Sequence, residues 1–412
     1  MVLQQHSARS ICRRRSAAPD YGVILKRLFG AENGNAPQIT LSEELSQYSR
    51  CHSRTAGDHA PDGSARSLGA RLQAESYQRA KSPLRQLAMT AERDLWEIKL
   101  AHRPKSFWYP YHTLQNVGVL ERLLADAGLD LMQLCRGPHG KIADIGAADG
   151  DLGFLLEKIG LSVDLIDNEP TNFNRLEGAR ILKGALDSTV TIQTVDLDSQ
   201  FTLFGEKYDA IFLLGLLYHL KNPFFVLEKL AAIARYCFLS TRIARQTDNG
   251  QQISQEPMAY LLAPQECNND STNFWIFSEE GLKRLINRTG WSLLSYLSIG
   301  VTANSTPADP ERDERAFCLL RSESVPMVTA SPNPVPAHKD TARTMISWST
   351  GTANPGKVYV SIDGQQELLF ATSRQGSAPA NWIRTGRTYE FRLYDWDHTR
   401  LLDKVAVATA TQ

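Results

Sequence analysis

Lys141-Ile-Ala-Asp144-Ile-Gly146-Ala-Ala148-Asp149-Gly150-Asp-Leu-Gly153 is the stretch that decides the fold. An apolar strand ends on a carboxylate, turns through glycine and alanine, and enters an amphipathic helix. A backbone that must come within contact distance of a nucleotide-like ligand needs small residues at that bend. The loop departs from a dinucleotide fingerprint. Counting Gly-x-Gly-x-x-Gly from Gly146 places Ala148 and Asp151 where glycines belong. Asp144, two residues ahead of the first glycine, would repel a pyrophosphate and attract an ammonium group.

Further strands follow in order. Leu161–Asp167 and Val190–Asp196 each end on an acid, Tyr208–His219 runs into a loop before a helix after Asn222-Pro223, and Arg235–Thr241 reads as a fifth strand. Acids at the carboxyl ends of successive strands match the rule that open α/β sheets bind ligands there. A long loop is expected over 242–277, then a helix capped by Ser278, and strands at Trp291–Gly300 and Glu314–Arg321.

Asp144-x-Gly146-x-Ala148-x-Gly150 in this context resembles the first motif of class I S-adenosylmethionine-dependent methyltransferases, with Ala148 replacing the usual second glycine. The resemblance implies a Rossmann-like seven-stranded methyltransferase sheet and S-adenosyl-L-methionine as cofactor. It implies that Asp144 orients the methionine ammonium, that Gly146, Ala148 and Gly150 allow close approach, and that Asp167 holds the ribose. Asp196 would lie near adenine, and Leu214 would join the cofactor-binding group. Gly215-Leu-Leu-Tyr218-His219-x-x-x-Pro223, Asn273-x-x-x-Phe277-Ser278 and Arg315 are similar to the bacterial wobble-uridine tRNA carboxymethyltransferase and its relatives of unassigned substrate. That likeness would put Tyr218 and Arg315 near a carboxylated cofactor, with Lys105 as a counterpart of the family's upstream lysine.

At 412 residues the chain exceeds one ordinary core. Its boundaries are read as a basic N-terminal region of low order over 1–88, a catalytic domain over 89–322, and a β-sandwich over 326–412. The N-terminal region reads as a transit peptide, a tail or an overlong start. Six scattered cysteines without Cys-x-x-Cys point to reduced thiols, a cytoplasmic location and no structural metal. No apolar run is long enough to span a membrane. Residues 101–322 hold 21 Lys/Arg against 27 Asp/Glu, and a nucleic-acid-binding surface is normally basic. The balance favours a small-molecule, glycan or lipid-linked acceptor, with tRNA as the alternative.

Two segments supply acceptor-side candidates. Around Pro110, Trp108 or Tyr111 would either face the cofactor or substrate or latch an N-terminal helix to the sheet. Asn268-Asn-Asp-Ser-Thr-Asn273 offers amides and hydroxyls for a polar substrate, against a plain surface excursion. His219 is the nearest candidate base, beside Tyr218; its alternative role is to fix the loop.

The last ninety or so residues read as an immunoglobulin- or fibronectin-III-like sandwich. Val358–Ile362, the Asp363-Gly364 turn and Glu367–Thr372 form a hairpin, and Arg343–Ser349 and Thr388–Tyr394 add strands. Pro332, Pro334 and Pro336 would stiffen the entry. Trp382, Tyr394, Trp396 and His398 are either a sugar- or protein-binding patch or core. The remaining alternative is a non-catalytic cofactor-binding scaffold whose sandwich recruits a partner.

Overall fold

The computed structural model describes residues 82–409 except 103, 105, 106, 206 and 337–340, so the expectations for residues 1–81 and for Lys105 fall outside the described residues. The first described helix, α1 (Pro83–Ala101), begins earlier than the helical pattern counted from Met89. Ser82 accepts the N–H of Arg85 at 3.2 Å and Pro83 occupies the first turn, two start signals that outrank the weak apolar pattern.

The chain continues through α2 (Val117–Ala127), α3 (Leu131–Cys135), β1 (Ile142–Ile145), α4 (Asp151–Lys158), β2 (Val163–Asp167), α5 (Glu177–Ala185), β3 (Thr191–Thr194) and β4 (Tyr208–Leu214). It then forms α6 (Pro223–Ala231), β5 (Ala234–Ala244), β6 (Ala259–Leu261), β7 (Trp275–Ser278), α7 (Glu279–Arg288), β8 (Trp291–Gly300) and β9 (Glu314–Ser322). The main sheet has the order β3-β2-β1-β4-β5-β9-β8, parallel through β5, with β9 antiparallel to both its neighbours so that β8 runs in the direction of β5. This is the seven-stranded methyltransferase sheet. Strand order reverses between β1 and β4, the position where such sheets open a ligand crevice.

β1 and β5 are buried along their whole length, and each carries polar residues inside that burial: Asp144 on β1, and Arg235, Ser240, Thr241 and Arg242 on β5. Successive residues still point to opposite faces. Ile142, Leu165, Phe212 and Phe238 pack under α1 to α5, while Ala143, Ile211, Leu239 and Cys237 pack under α6 and α7. The stretch 242–277, expected as loop, is partly strand. β5 runs on to Ala244, and its last residues pair with β7, which carries β6 as a hairpin beyond the end of β4.

β10 (Met327–Ser331), β11 (Ala342–Ser349), β12 (Gly356–Ile362), β13 (Leu368–Ser373), β14 (Gln375–Ile383), β15 (Tyr389–Asp395) and β16 (Leu401–Val407) form two antiparallel sheets, β10-β11-β14 and β13-β12-β15-β16. They enclose one core around Ile346, Trp348, Val358 and Phe391. Asp363 and Gly364 both take positive φ, as a tight hairpin turn requires. β14 carries Pro379 and lies at a sheet edge, where a missing N–H costs no ladder bond. The proline run is not an entry linker. Pro332 and Pro334 follow the edge strand β10, and Val335 is buried in the core.

The second module docks at the amino ends of the parallel strands. Arg235, near the start of β5, reaches Asp403 on β16 at 3.1 Å, and both side chains are buried. The same oxygen, Asp403 Oδ2, accepts the Val328 N–H at 2.8 Å, while Oδ1 accepts from Arg235 Nη1 at 3.3 Å. No helix among the described residues is long and apolar enough to cross a membrane.

Candidate active site

The loop after β1 is built from backbone that few side chains tolerate. Gly146, Ala148 and Gly150 have φ of 77°, 54° and 87°. A Cβ on Gly150 would lie 2.7 Å from Leu165, so glycine is required there by both conformation and space. Ala148 stays in the left-handed region because its N–H donates to Asp167 Oδ2 at 2.8 Å. The tight, small-residue bend beside an acid fits the cradle that a nucleoside cofactor needs.

Asp144 is only 5% exposed and lies beneath the loop, accepting the Gly153 N–H at 3.1 Å. Burial raises its carboxyl to about 7. Asp167 also sits above its ordinary value, burial outweighing the N–H bonds from Ala148, Asn168 and Asn172. Asp196 is exposed, two residues past β3, and its carboxylate accepts the Asp198 N–H at 3.0 Å. Leu214 ends β4 and is half-buried.

Sequence reasoning missed the layer that holds this loop. Asp149 is buried and joins three elements: it accepts from Tyr109 N at 2.8 Å and Asn174 Nδ2 at 2.6 Å, and pairs with Lys99 of α1 at 3.4 Å. Lys99 also meets Asp151 at 2.9 Å. Tyr109 stacks on Phe173 at 5.1 Å and 10°, and its hydroxyl accepts the Phe173 N–H. Asn172 and Asn174 fold the turn after β2 through side-chain bonds to backbone. The dense asparagines of 168–174 were the available signal.

Trp108 lies against the end of α1. Its indole N–H is directed at the Lys99 and His102 carbonyls, at 2.9 and 3.0 Å, closing the end of α1. Tyr111 is exposed, with its ring 5.8 Å from that of Tyr109.

Across the crevice the structure brings together residues almost a hundred positions apart. Arg242 of β5 pairs with Arg315 of β9, which places Arg315 at the carboxyl end of the sheet. Its guanidinium lies 3.3 Å from the Tyr218 hydroxyl and 5.4 Å from the Tyr218 ring centre. Burial alone would lower the Arg315 pKa, but the Tyr218 and Tyr111 phenols and Asp313 outweigh it, so the group stays cationic. Tyr218 and His219 lie in a short 3₁₀ turn, with ring centres 4.3 Å apart. His219 Nδ1 faces the Thr272 carbonyl at 3.2 Å. The Thr272 hydroxyl lies nearer, at 3.0 Å, and gives its own proton to Asp270. Both Thr272 oxygens therefore accept, so Nδ1 carries the proton and Nε2 presents a lone pair. Burial, aided by Arg315, holds the His219 pKa below its ordinary value against the pull of Asp270.

The polar loop divides in two. Asn273 is buried and structural, donating to the Cys267 carbonyl at 3.0 Å, although its Oδ1 has no partner. Asn268 is exposed with φ of 68°. Beneath them Arg242 ties Cys267 to the Thr306 and Asp309 carbonyls, and Arg245 pairs with the fully buried Glu314 at 2.8 Å. This frame was not visible in sequence.

Residues 113–296 match the model of a methyltransferase domain family. No curated protein matches the chain. Among solved structures, the N-terminal domain of EvdMO1 with SAH bound is 17% identical and covers 56% of this chain and 94% of its own, at a TM-score of 0.35. TehB from Haemophilus influenzae is 18% identical, covers 44% and 57%, and scores 0.31. An O-methyltransferase family protein from Burkholderia thailandensis is 15% identical, covers 50% and 57%, and scores 0.33. The chain carries a methyltransferase domain, and S-adenosyl-L-methionine is its cofactor.

Proposed function

We propose that this enzyme methylates a small-molecule, glycan or lipid-linked acceptor bound between Tyr111, Tyr218, His219, Arg315 and the 268–273 loop. The observation that carries the reading is His219: an imidazole beside the crevice with its Nδ1 proton engaged and its Nε2 lone pair available. The acceptor-side groups are hydrogen-bonding and aromatic, and the module is acidic overall, which suits a polar acceptor better than a polyanion.

Bound S-adenosylmethionine supplies a methyl group on a sulfonium whose leaving thioether carries the positive charge away. The residues therefore need to align the acceptor and take its proton. Asp144 would orient the ammonium through ordered water or the loop backbone beneath which it lies. Asp167 would accept both ribose hydroxyls, Asp196 would lie beside adenine, and Gly146, Ala148, Gly150 and Leu214 would shape the cradle. His219 Nε2 would take the acceptor proton while Tyr218 and Arg315 orient it. Buried unpaired cysteines favour the cytoplasm. The three-plus-four strand arrangement supports an immunoglobulin- or fibronectin-III-like module.

One observation favours a second reading. Arg315 has no carboxylate within 4.0 Å among the described residues, which suits a carboxylated cofactor and a tRNA (carboxymethyl)transferase. Mass spectrometry of cofactor retained by the purified protein separates the two readings. A cofactor-binding scaffold would bind cofactor but label no protein, RNA, lipid or glycan fraction of a cell extract.

The test of the base is His219→Ala. Cofactor affinity should stay unchanged while turnover falls on the order of 10²–10⁴. The wild-type rate should decline as pH drops through a His219 pKa below the ordinary value of about 6.5, and the variant should lack that limb. An unchanged rate removes His219 from the chemistry.

A further inference from the structure

We propose that the C-terminal module carries a docking cleft for a neutral glycan, centred on Trp396 and separate from the methyl-transfer site. Gly356 pairs with Asp395 and Lys357 with Tyr394, so the turn before β12 and the turn after β15 emerge side by side from one end of the sheet. They enclose a cavity of about 480 Å³ whose lining includes Thr352, Asn354, Trp396, Asp397, Arg400 and Leu402.

Trp396 is 49% exposed, and Lys357 Nζ lies 5.0 Å from its ring centre. The lysine steadies the indole from one side and leaves ring surface for a ligand. Asp395 is spent on the turn, accepting from Thr399 N at 2.8 Å, Thr399 Oγ1 at 2.9 Å and Arg400 N at 3.1 Å. The side chains of Asn354, Asp397 and Arg400 make no hydrogen bond or ion pair with other described residues.

Those three groups differ in what they offer. Asp397 only accepts, Arg400 only donates, and Asn354 does both. A sugar hydroxyl also donates and accepts, and its ring has an apolar C–H face suited to an indole. A few placed polar groups around an aromatic surface is the usual composition of a small-ligand site. A polyanion would meet two carboxylates, Asp395 and Asp397, against Arg400 and Lys357, so no net positive charge would hold it. An apolar helix would find few apolar residues in a lining that is mostly polar.

The cleft is too far from the crevice to present the methyl acceptor. Leu402 lines it and the next residue, Asp403, meets Arg235. From Arg235 to Arg242, opposite Arg315, β5 spans roughly 20–25 Å at about 3.3 Å per residue. A sugar held at Trp396 therefore docks the enzyme, and the inference stands whatever the acceptor proves to be.

The test is affinity electrophoresis of the full-length protein through native gels containing dextran, laminarin, galactomannan or xylan, with dextran sulfate as the charged comparison. At least one neutral polysaccharide should retard migration. Trp396→Ala should raise the apparent Kd at least tenfold, Trp396→Tyr should restore most of the binding, and Asp397→Asn should weaken it a few-fold. Cofactor affinity of Trp396→Ala, measured by calorimetry, should equal wild type and so show an intact fold. Retardation by none of the neutral polymers, retardation by dextran sulfate alone, or retardation that survives Trp396→Ala would overturn the proposal.

Discussion

Acids at the carboxyl end of the parallel sheet and two glutamates of the C-terminal module, Glu367 and Glu390, end on opposite sides of their ordinary pKa. Asp144, Asp149, Asp151 and Asp167 all sit above their ordinary pKa, with burial the largest cause in each and Lys99 shared between Asp149 and Asp151. Glu367 and Glu390 are pushed up by burial too, yet they end below their ordinary values. Hydrogen bonds from Arg392, with Tyr394 and His398 on Glu367 and Lys404 on Glu390, outweigh it. The sandwich satisfies Glu367 and Glu390 within itself, whereas its buried Asp403 is raised by burial and pairs with Arg235 of the other module. The four acids around the loop after β1 are buried or half-buried with Lys99 as their paired cation, which is the condition expected where a charged ligand completes the set.

Four substitutions break or sharpen that contrast. The largest effect should come where the modules meet. Asp403→Ala strands Arg235 in a buried contact and should lower stability by about 3–5 kcal/mol, against a much smaller loss for a surface acid. A denaturant titration showing wild-type stability would mean that the contact is not buried in solution.

Asp144 should show the next largest change, and its sign is opposite to that of a paired acid. A carboxyl at about 7 when folded and 3.8 when unfolded binds more protons in the native state, so stability falls as pH rises between those values. Asp144→Asn cannot ionise, and should gain on wild type across that window by roughly 2–4 kcal/mol. Parallel pH profiles of the two proteins would contradict a raised Asp144.

Asp167→Ala should weaken S-adenosylmethionine binding tenfold or more, since hydrogen bonds to a charged group contribute about 1.5–3 kcal/mol. Calorimetry returning undiminished affinity would remove Asp167 from the cofactor site. The smallest effect belongs to the sandwich. Glu367→Gln keeps the shape but loses the charge opposite Arg392, and should cost about 1 kcal/mol or less, shrinking further in salt. A loss as large as that of Asp403→Ala would erase the difference between the regions.

Local chemistry made much of this molecule legible from its residues. The small-residue bend at 146–150 follows from close backbone approach, and the Asp363-Gly364 turn from positive φ. The buried strand β4 follows from its apolar run over residues 210–214, and the α7 cap from the Ser278 hydroxyl, which accepts the Gly281 N–H at 3.0 Å. Some strands lack such a run and were not seen. β14 carries a proline and small polar residues, and β6 and β7 are short and stand among turn residues.

The sequence by itself determined the order of strands and loops, because apolar period, caps and turn residues act within a few positions of one another. Tertiary structure alone decided which residues share a site. Lys99 meets Asp149, Arg315 meets Tyr218 and Arg235 meets Asp403 only after the sheet forms, since each pair lies dozens of residues or more apart in sequence. It decided the electrostatics for the same reason. A carboxyl group has the same chemistry in β1 and in β15, and only the depth and partners it meets on folding set which way its proton equilibrium moves, up for Asp144 and down for Glu390.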